Sequence, residues 1–233
     1  MENETSNLEE LSKTFLILKN KIDDNKDFIN KNRTDFIYKE DGSPVSKSDI
    51  FLNKMITNFL NKNFRGIQII SEENDNRDVS DFIALVDPLD GTENFVSGLP
   101  IWGISIGIWR NNKNIFSWLY FPELNRCIDK YTISKLEKYK SRITGFSSSI
   151  NNKLKNEIKV GKESRIMGAS SFNMYCVITG SFSSFRNPKG AWIWDLLPGA
   201  TLCLENNKCV KINGKIYHGE LLDPFKKHEF EII

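Results

Sequence analysis

The apolar run from Phe82 to Val86 ends at Asp87, and Asp90 follows across Pro88 and Leu89. Two carboxylates three residues apart can face one point across a tight turn. Pro88 fixes the backbone between them, and Gly91 allows close approach or an unusual backbone angle. Thr92 then begins a short helix through Asn94, Phe95 and Val96, and a helix start offers free N–H groups and a positive dipole end to an anion. Paired carboxylates beside such a helix start make a magnesium–phosphate site, because Mg2+ takes oxygen ligands in an octahedron at about 2.0–2.1 Å and keeps water and substrate phosphate among them. A plainer reading of the same residues is a turn at Asp90-Gly91 with Asp87 as a cap. A site for several ions needs more acids. Glu72 and Glu73 end the preceding apolar run, and Asp195 follows Trp192-Ile193-Trp194 at a predicted helix start. Alone, Glu72 reads as a solvated charge and Asp195 as a helix cap.

The elements that must position these acids are partly visible in the pattern. Leu8, Leu11, Phe15, Leu18 and Ile22 recur at helical intervals, and Ser6 and Glu9 have capping-box spacing, so a helix is expected over about 7–24. Residues 39–45 read as a turn, with Asp41-Gly42 and Ser43-Pro44 as breakers. A second helix is expected over about 48–61, with Phe51, Leu52, Met55, Ile56, Phe59 and Leu60 as its apolar stripe. Short strands are expected at 67–70 and 82–86, and a hairpin at 103–110 and 115–121 around Asn111-Asn112-Lys113-Asn114. The stretch 126–166 reads as two strands with a short helix near Asn151 to Glu157. Helices follow Gly168-Ala169-Ser170-Ser171 and start at Trp194-Asp195, and strands near 208–212 and 215–217 close the chain. Hairpins mixed with helices argue for α+β layers.

The composition excludes other classes. With 32 basic and 30 acidic residues among 233, the net charge of +2 sets up no strong field for nucleic acid. No apolar run approaches the roughly 18 residues of a membrane span, and no leader pattern is seen, so a cytoplasmic location is expected. Cys127, Cys176, Cys203 and Cys209 lack C-x-x-C spacing and read as reduced, mostly buried thiols. His218 and His228 are the only histidines, too few for a multi-histidine metal site and poorly suited to a Ser-His-Asp triad. The five tryptophans read as core or interface residues.

Several pieces in order resemble the inositol monophosphatase family, which includes 3′-phosphoadenosine 5′-phosphate phosphatases and some histidinol-phosphate phosphatases. They are Lys39-x-Asp41-Gly42-Ser43-Pro44-Val45-Ser46-x-Ser48-Asp49, Ser71-Glu72-Glu73, Asp87-Pro88-Leu89-Asp90-Gly91-Thr92-x-Asn94-Phe95, Ser97-Gly98-Leu99-Pro100, Gly168-Ala169-Ser170 and Trp194-Asp195. The resemblance implies a layered α/β/α/β/α sandwich over residues 1–233 in two closely joined lobes, about 1–125 and 126–233, usually as a homodimer. It implies two or three Mg2+ ions: Glu72, Asp87 and the Leu89 carbonyl on one, Asp87, Asp90 and Asp195 on another, and Glu72 touching a weaker third. It further implies that Thr92, supported by Asp49, helps activate water, that Gly91 and Thr92 offer N–H groups to phosphate, and that Asp90, Ser170 and Asp195 lie near the alcohol. The expected activity is magnesium-dependent hydrolysis of a small phosphate monoester by a metal-activated water, with lithium inhibition.

The chain also departs from the pattern. Inositol-specific members carry a Glu shortly before Trp-Asp, but Phe185-Arg186-Asn187-Pro188-Lys189-Gly190-Ala191 has no acid. Inositol phosphate, a sugar phosphate or a nucleotide phosphate all stay open as substrate, as do 3′-phosphoadenosine 5′-phosphate and histidinol phosphate. Arg186 and Lys189 read as surface charges or as partners for a second anionic group. The region 126–165 is compressed, and Glu205-Asn206-Asn207 stands where Gly-Gly is common. That shortening motivates a non-enzymatic alternative, a binding protein with reduced turnover.

Overall fold

Phe15, Leu18 and Ile22 are fully buried on α1 (Glu2–Asp24) in the computed structural model, which describes residues 2–74, 77–148, 152–158 and 163–233. The helix starts at Glu2, so Ser6 and Glu9 lie inside it and not at its cap. A short α2 (Lys26–Lys31) follows, which no apolar periodicity announces. The breaker-rich stretch is the tip of a small hairpin, β1 (Phe36–Tyr38) with β2 (Pro44–Ser46), closed where Gly42 takes φ +81°. α3 (Lys47–Asn63) begins at a capping box: the Ser46 hydroxyl accepts from the Ser48 and Asp49 N–H groups, and the Asp49 carboxylate accepts from the Ser46 N–H.

The first sheet has the order β3-β4-β5-β6-β7, formed by β3 (Gln68–Ser71), β4 (Phe82–Asp90), β5 (Gly103–Arg110), β6 (Lys113–Phe121) and β7 (Arg126–Asp129). β3 and β4 are parallel, and the remaining pairs are antiparallel. Side chains alternate between its faces, and both faces are buried. Ala84, Val86, Ile104, Ile106, Phe116 and Trp118 join the core shared with α1 and α3, while Ile83, Leu85, Leu119 and Phe121 join the core on the opposite face. This two-sided burial explains why the strands read as nearly continuous apolar runs. Between β4 and β5 lies the single-turn α4 (Thr92–Val96).

The middle of the chain holds three strands where two are expected: β7, then β8 (Thr144–Phe146) and β9 (Ser164–Ile166) around α5 (Asn152–Glu157). Asn151, the expected start of that helix, lies outside the described residues. α6 (Ser170–Thr179), β10 (Ser184–Ala191), α7 (Ile193–Glu205), β11 (Val210–Ile212), β12 (Lys215–Ile216) and β13 (His228–Ile232) complete the chain. The second sheet runs β12-β11-β13-β10-β8-β9. Neither β10 nor β13 is marked in the sequence. Pro188 and Gly190 disguise the first, and alternating charges disguise the second. From outside to outside, the layers are α1 with α3, the first sheet, α6 with α7, the second sheet, and α5. The mixed, layered α+β fold is therefore as expected. Trp102, Trp109, Trp118 and Trp194 are core residues, and Trp192 is partly exposed. All four cysteines are free thiols, Cys176 and Cys203 buried and Cys209 exposed.

α7 contains Pro198, whose ring nitrogen cannot donate to the carbonyl of Trp194 one turn earlier. The Ser105 hydroxyl on β5 donates to that carbonyl instead, at 3.3 Å. Small residues on this face let the helix approach: a Cβ at Gly107 would meet the Trp109 ring at 2.4 Å and Pro198 at 3.1 Å. Ser105 thus holds the start of α7, and Asp195 with it, against the sheet. Ser105→Ala should leave a buried carbonyl unpaired and destabilise the fold by about 1–3 kcal/mol. Urea unfolding measures this, and an unchanged midpoint would contradict it.

Candidate metal and phosphate site

Parallel pairing puts the carboxyl ends of β3 and β4 at one edge. Ser71 pairs with Val86, and the Glu72 N–H continues the ladder to the Val86 carbonyl at 3.2 Å, so Glu72 and Asp87 emerge side by side. β4 does not stop at Asp87 as the sequence pattern suggests. It runs on to Asp90 through a bulge, with Asp87 opposite Ser105 and Asp90 opposite Gly103. Pro88 sits in that bulge, where a missing N–H costs no ladder bond. The first turn of α7 adds Asp195 from above. Carboxylate oxygens of Glu72, Asp87 and Asp195 lie within 4.8 Å of one another.

These acids repel. Burial raises the Asp87 pKa well above the usual carboxylate range, and the charges of Glu72, Asp90 and Asp195 add to it. Burial likewise raises Asp195, with Glu72 and Asp90 contributing. Glu72 is pushed up to about 7, first by burial, while Lys39 pulls against it. The Lys39 ammonium lies 3.3 Å from Glu72 and 2.8 Å from Glu73. Its own burial opposes the charge, but the two glutamates outweigh this and hold its pKa above the ordinary value. A cluster of three acids with one flanking ammonium and only oxygen donors suits a hard divalent cation.

Asp90 is placed differently. Its two oxygens accept from the Ser170 N–H at 3.0 Å, the Ser171 N–H at 2.6 Å and the Ser171 hydroxyl, all at the start of α6. Burial raises its pKa, and these hydrogen bonds oppose the rise. The close group therefore holds three of the four expected acids, while Asp90 fastens α6 to the end of β4. Ser170 contributes its backbone N–H and lines the same pocket.

Thr92 is aimed by two acceptors, Asp49 Oδ1 at 3.1 Å and the Leu89 carbonyl at 3.0 Å. The other Asp49 oxygen is held by Ser46, so the carboxylate is oriented from behind by the α3 cap. Gly91 takes φ +90°, and a Cβ there would lie 2.9 Å from Ala169. Only glycine fits this crossing, and Gly91 and Thr92 both line the pocket. Asn94 donates to the Ile101 and Met167 carbonyls, both at 2.7 Å, tying α4 to the segment leading into α6. The tethering roles of Lys39, Asn94 and Ser171 escape sequence reasoning, although the Ser170-Ser171 pair at a predicted helix start is a signal for capping chemistry.

The sequence pattern of the inositol monophosphatase family matches residues 5–228. A 3'(2'),5'-bisphosphate nucleotidase, CysQ of Haemophilus influenzae, is 33% identical over 92 residues, covering 37% of this chain and 34% of that protein. The match thus spans about a third of the length of that curated relative. Among solved structures, a staphylococcal inositol monophosphatase in a lithium-soaked inhibitory complex superposes with a TM-score of 0.82 at 19% identity, covering 97% of this chain and 90% of that one. An IMPase/NADP phosphatase complexed with Mg2+ and phosphate gives a TM-score of 0.82 at 18% identity, covering 97% and 91%. At these identities the structural likeness speaks for the fold.

Without metal, the raised acids hold protons in the folded state that they lose when unfolded. For Glu72 this stability is present below its ordinary value of 4.5 and is lost as pH rises through about 7. The Tm of metal-free protein should therefore fall as pH rises from 4.5 to 7, and millimolar Mg2+ should restore it at pH 8 but not at pH 4.5. Scanning calorimetry in EDTA and in Mg2+ measures both arms. A metal-independent, flat profile would contradict the placement of these acids.

Proposed function

The chain belongs to the inositol monophosphatase family, and on that premise we propose that it hydrolyses small phosphate monoesters with Mg2+ as cofactor. The observation carrying this reading is the convergence of Glu72, Asp87 and Asp195 within 4.8 Å in the pocket that Thr92 also lines. The donor chemistry fits magnesium, and the complex of a structural neighbour, an IMPase/NADP phosphatase, with Mg2+ and phosphate supports it. Glu72, Asp87 and the Leu89 carbonyl would hold one ion, and Asp87 and Asp195, with Asp90, a second; a third, weaker ion would touch Glu72. When bound, such ions lower the pKa of a water, polarise the phosphoryl oxygens and stabilise the leaving alkoxide.

The rest falls to the chain's own groups. The Gly91 and Thr92 N–H groups bind the phosphate and fix its orientation. The Thr92 hydroxyl donates toward Asp49 or Leu89, so its lone pairs face an incoming water and accept its proton bond. Asp49 holds that hydroxyl in place. Water oxygen attacks phosphorus as the ester P–O bond breaks, the alcohol leaves with a proton, and inorganic phosphate remains. Asp90 positions Ser170 and the start of α6 beside the departing alcohol. The free thiols fit a cytoplasmic setting, and among the described residues no helix is long and apolar enough to cross a membrane. Exposed Ile37, Tyr38, Ile50 and Leu99 supply apolar surface for a homodimer.

The test is phosphate release from a panel of monoesters with and without Mg2+. Asp87→Asn should reduce kcat by at least about a thousandfold, because the uncatalysed reaction is among the slowest known. Thr92→Ala should reduce it by about 10²–10⁴-fold, the span of general acid–base assistance. Release that ignores Mg2+, or that survives Asp87→Asn, would overturn the proposal.

A further inference from the structure

Arg77 stands on the connection between β3 and β4, downstream of Glu72. The far end of that connection is fixed to the first sheet. The Gln68 side-chain amide on β3 donates to the Asp78 carbonyl, and the Asn111 N–H donates to the Asp81 carbonyl at 2.7 Å. From this footing the Arg77 guanidinium reaches across to the start of α7. Its central carbon lies 4.6 Å from the Trp192 ring centre and 5.0 Å from the Trp194 ring centre, and Nη1 donates to the Pro224 carbonyl at 3.3 Å. The turn at Pro224 is itself tied to the second sheet. His228 on β13 donates from Nε2 to the Asp223 carbonyl at 2.9 Å, while its Nδ1 accepts from the Asn213 amide at 3.0 Å. One half-buried side chain thus joins the β3–β4 connection, α7 and the segment before β13.

The two rings it covers lead into Asp195. Trp192 and Trp194 stack with centres 5.5 Å apart and 19° between their planes. Trp192 is the N-cap residue of α7, and Asp195 sits in the first turn, where its carboxylate accepts a hydrogen bond from the Trp192 N–H. Trp192 therefore fixes the acid as well as the helix start. The buried Trp194 Nε1 has no hydrogen-bond partner among the described residues, so packing and the stacked guanidinium locate its ring. Cation–π contact is best over indole, and a planar guanidinium can lie over two rings while it donates sideways, which suits arginine better than lysine. Ser105 fastens the start of α7 to β5, and Arg77 fastens it to the chain that carries Glu72.

We propose that Arg77 is a positioning residue: stacked on Trp192 and Trp194, it holds Asp195 at a set distance from Glu72 against the repulsion between them. Its consequence for activity rests on the phosphatase reading, because it is tighter binding of the ion that Asp195 would share with Asp87. Arg77 does not line the pocket and acts through Trp192, which does. Bare charge would work the other way. A guanidinium near the site repels a divalent cation, so its loss would tighten metal binding. The two accounts differ in sign.

The experiment measures Mn2+ binding to the full chain by titration calorimetry, beside phosphate release from the best substrate of the monoester panel as Mg2+ is varied. Arg77→Met should weaken Mn2+ binding about tenfold, the low end of the cost of losing a partner behind a metal ligand, and should raise the Mg2+ concentration for half-maximal release to match. Arg77→Lys, which keeps a cation over the rings, should regain most of the affinity. Trp192→Leu should match Arg77→Met, and the double variant should lose no more than either single one, because both remove the same link. Arg110→Met is the control: it removes a guanidinium 4.1 Å from the Phe82 ring centre, at the other end of β4, and should leave binding and release unchanged. Binding in Arg77→Met that is unchanged or tighter, or losses that add in the double variant, would overturn the clamp and leave the phosphatase reading standing. These binding results judge the clamp whether or not any ester is hydrolysed. If the wild type binds no Mn2+, the phosphatase reading fails, and acrylamide quenching of tryptophan fluorescence in EDTA judges the clamp alone. It survives if Arg77→Met is quenched more than the wild type while Arg110→Met is not, and it falls if all three are quenched alike.

Discussion

Mutual repulsion among Glu72, Asp87 and Asp195 is the constraint around which the site is built. Carboxylates this close and this buried disfavour one another's ionisation, and only protons or an added cation can relieve them. Lys39 relieves part of it from the side of Glu72 and Glu73. The remainder must be resisted by rigid elements: two parallel strands that end together, a bulge held open by Pro88, and a helix docked by Ser105. Each acid lies at the end of an element and not within a loose loop, so the cluster cannot relax by opening one segment alone. This is stability given up locally and held in place by two flanking apolar cores.

Around that centre, polar groups connect otherwise separate elements. Asp90 joins β4 to α6, Asn94 joins α4 to the chain before α6, and Asp49 joins α3 to Thr92. Every link crosses between layers, so the positions of the α4 start, the Thr92 hydroxyl and the acids are set together. Lys189 enters the same pocket from β10 of the second sheet, across α7.

Much of this was legible from residue types. Asp87, Asp90 and Thr92 stand out because carboxylates, a glycine and a helix start follow an apolar strand, and the ends of the 67–70 and 82–86 runs foretell where Glu72 and Asp87 emerge. The pairing direction of those strands is not in the local pattern, yet it is what brings Glu72 beside Asp87. Asp90 shows the same limit: its spacing is legible, but the bonds its oxygens accept from Ser170 and Ser171, on α6 some 80 residues away, are not. β10 was hidden because Pro188 and Gly190 are strand breakers that a bulge tolerates, and β4 looked shorter than it is for the same reason. By residue type Lys189 reads first as a surface charge, and the bulge in β10 is what brings it to the pocket lining.

The central claim is that a divalent cation occupies the gap among the three acids. Anomalous diffraction from crystals soaked in millimolar Mn2+, a scatterer that stands in for Mg2+, tests it directly. The account predicts strong anomalous density in the acid cluster, with manganese about 2.0–2.3 Å from oxygens of Glu72 and Asp87 and of Asp87 and Asp195, lost in Asp87→Asn crystals. A map with no peak there, or with manganese bound only at surface carboxylates, would contradict it.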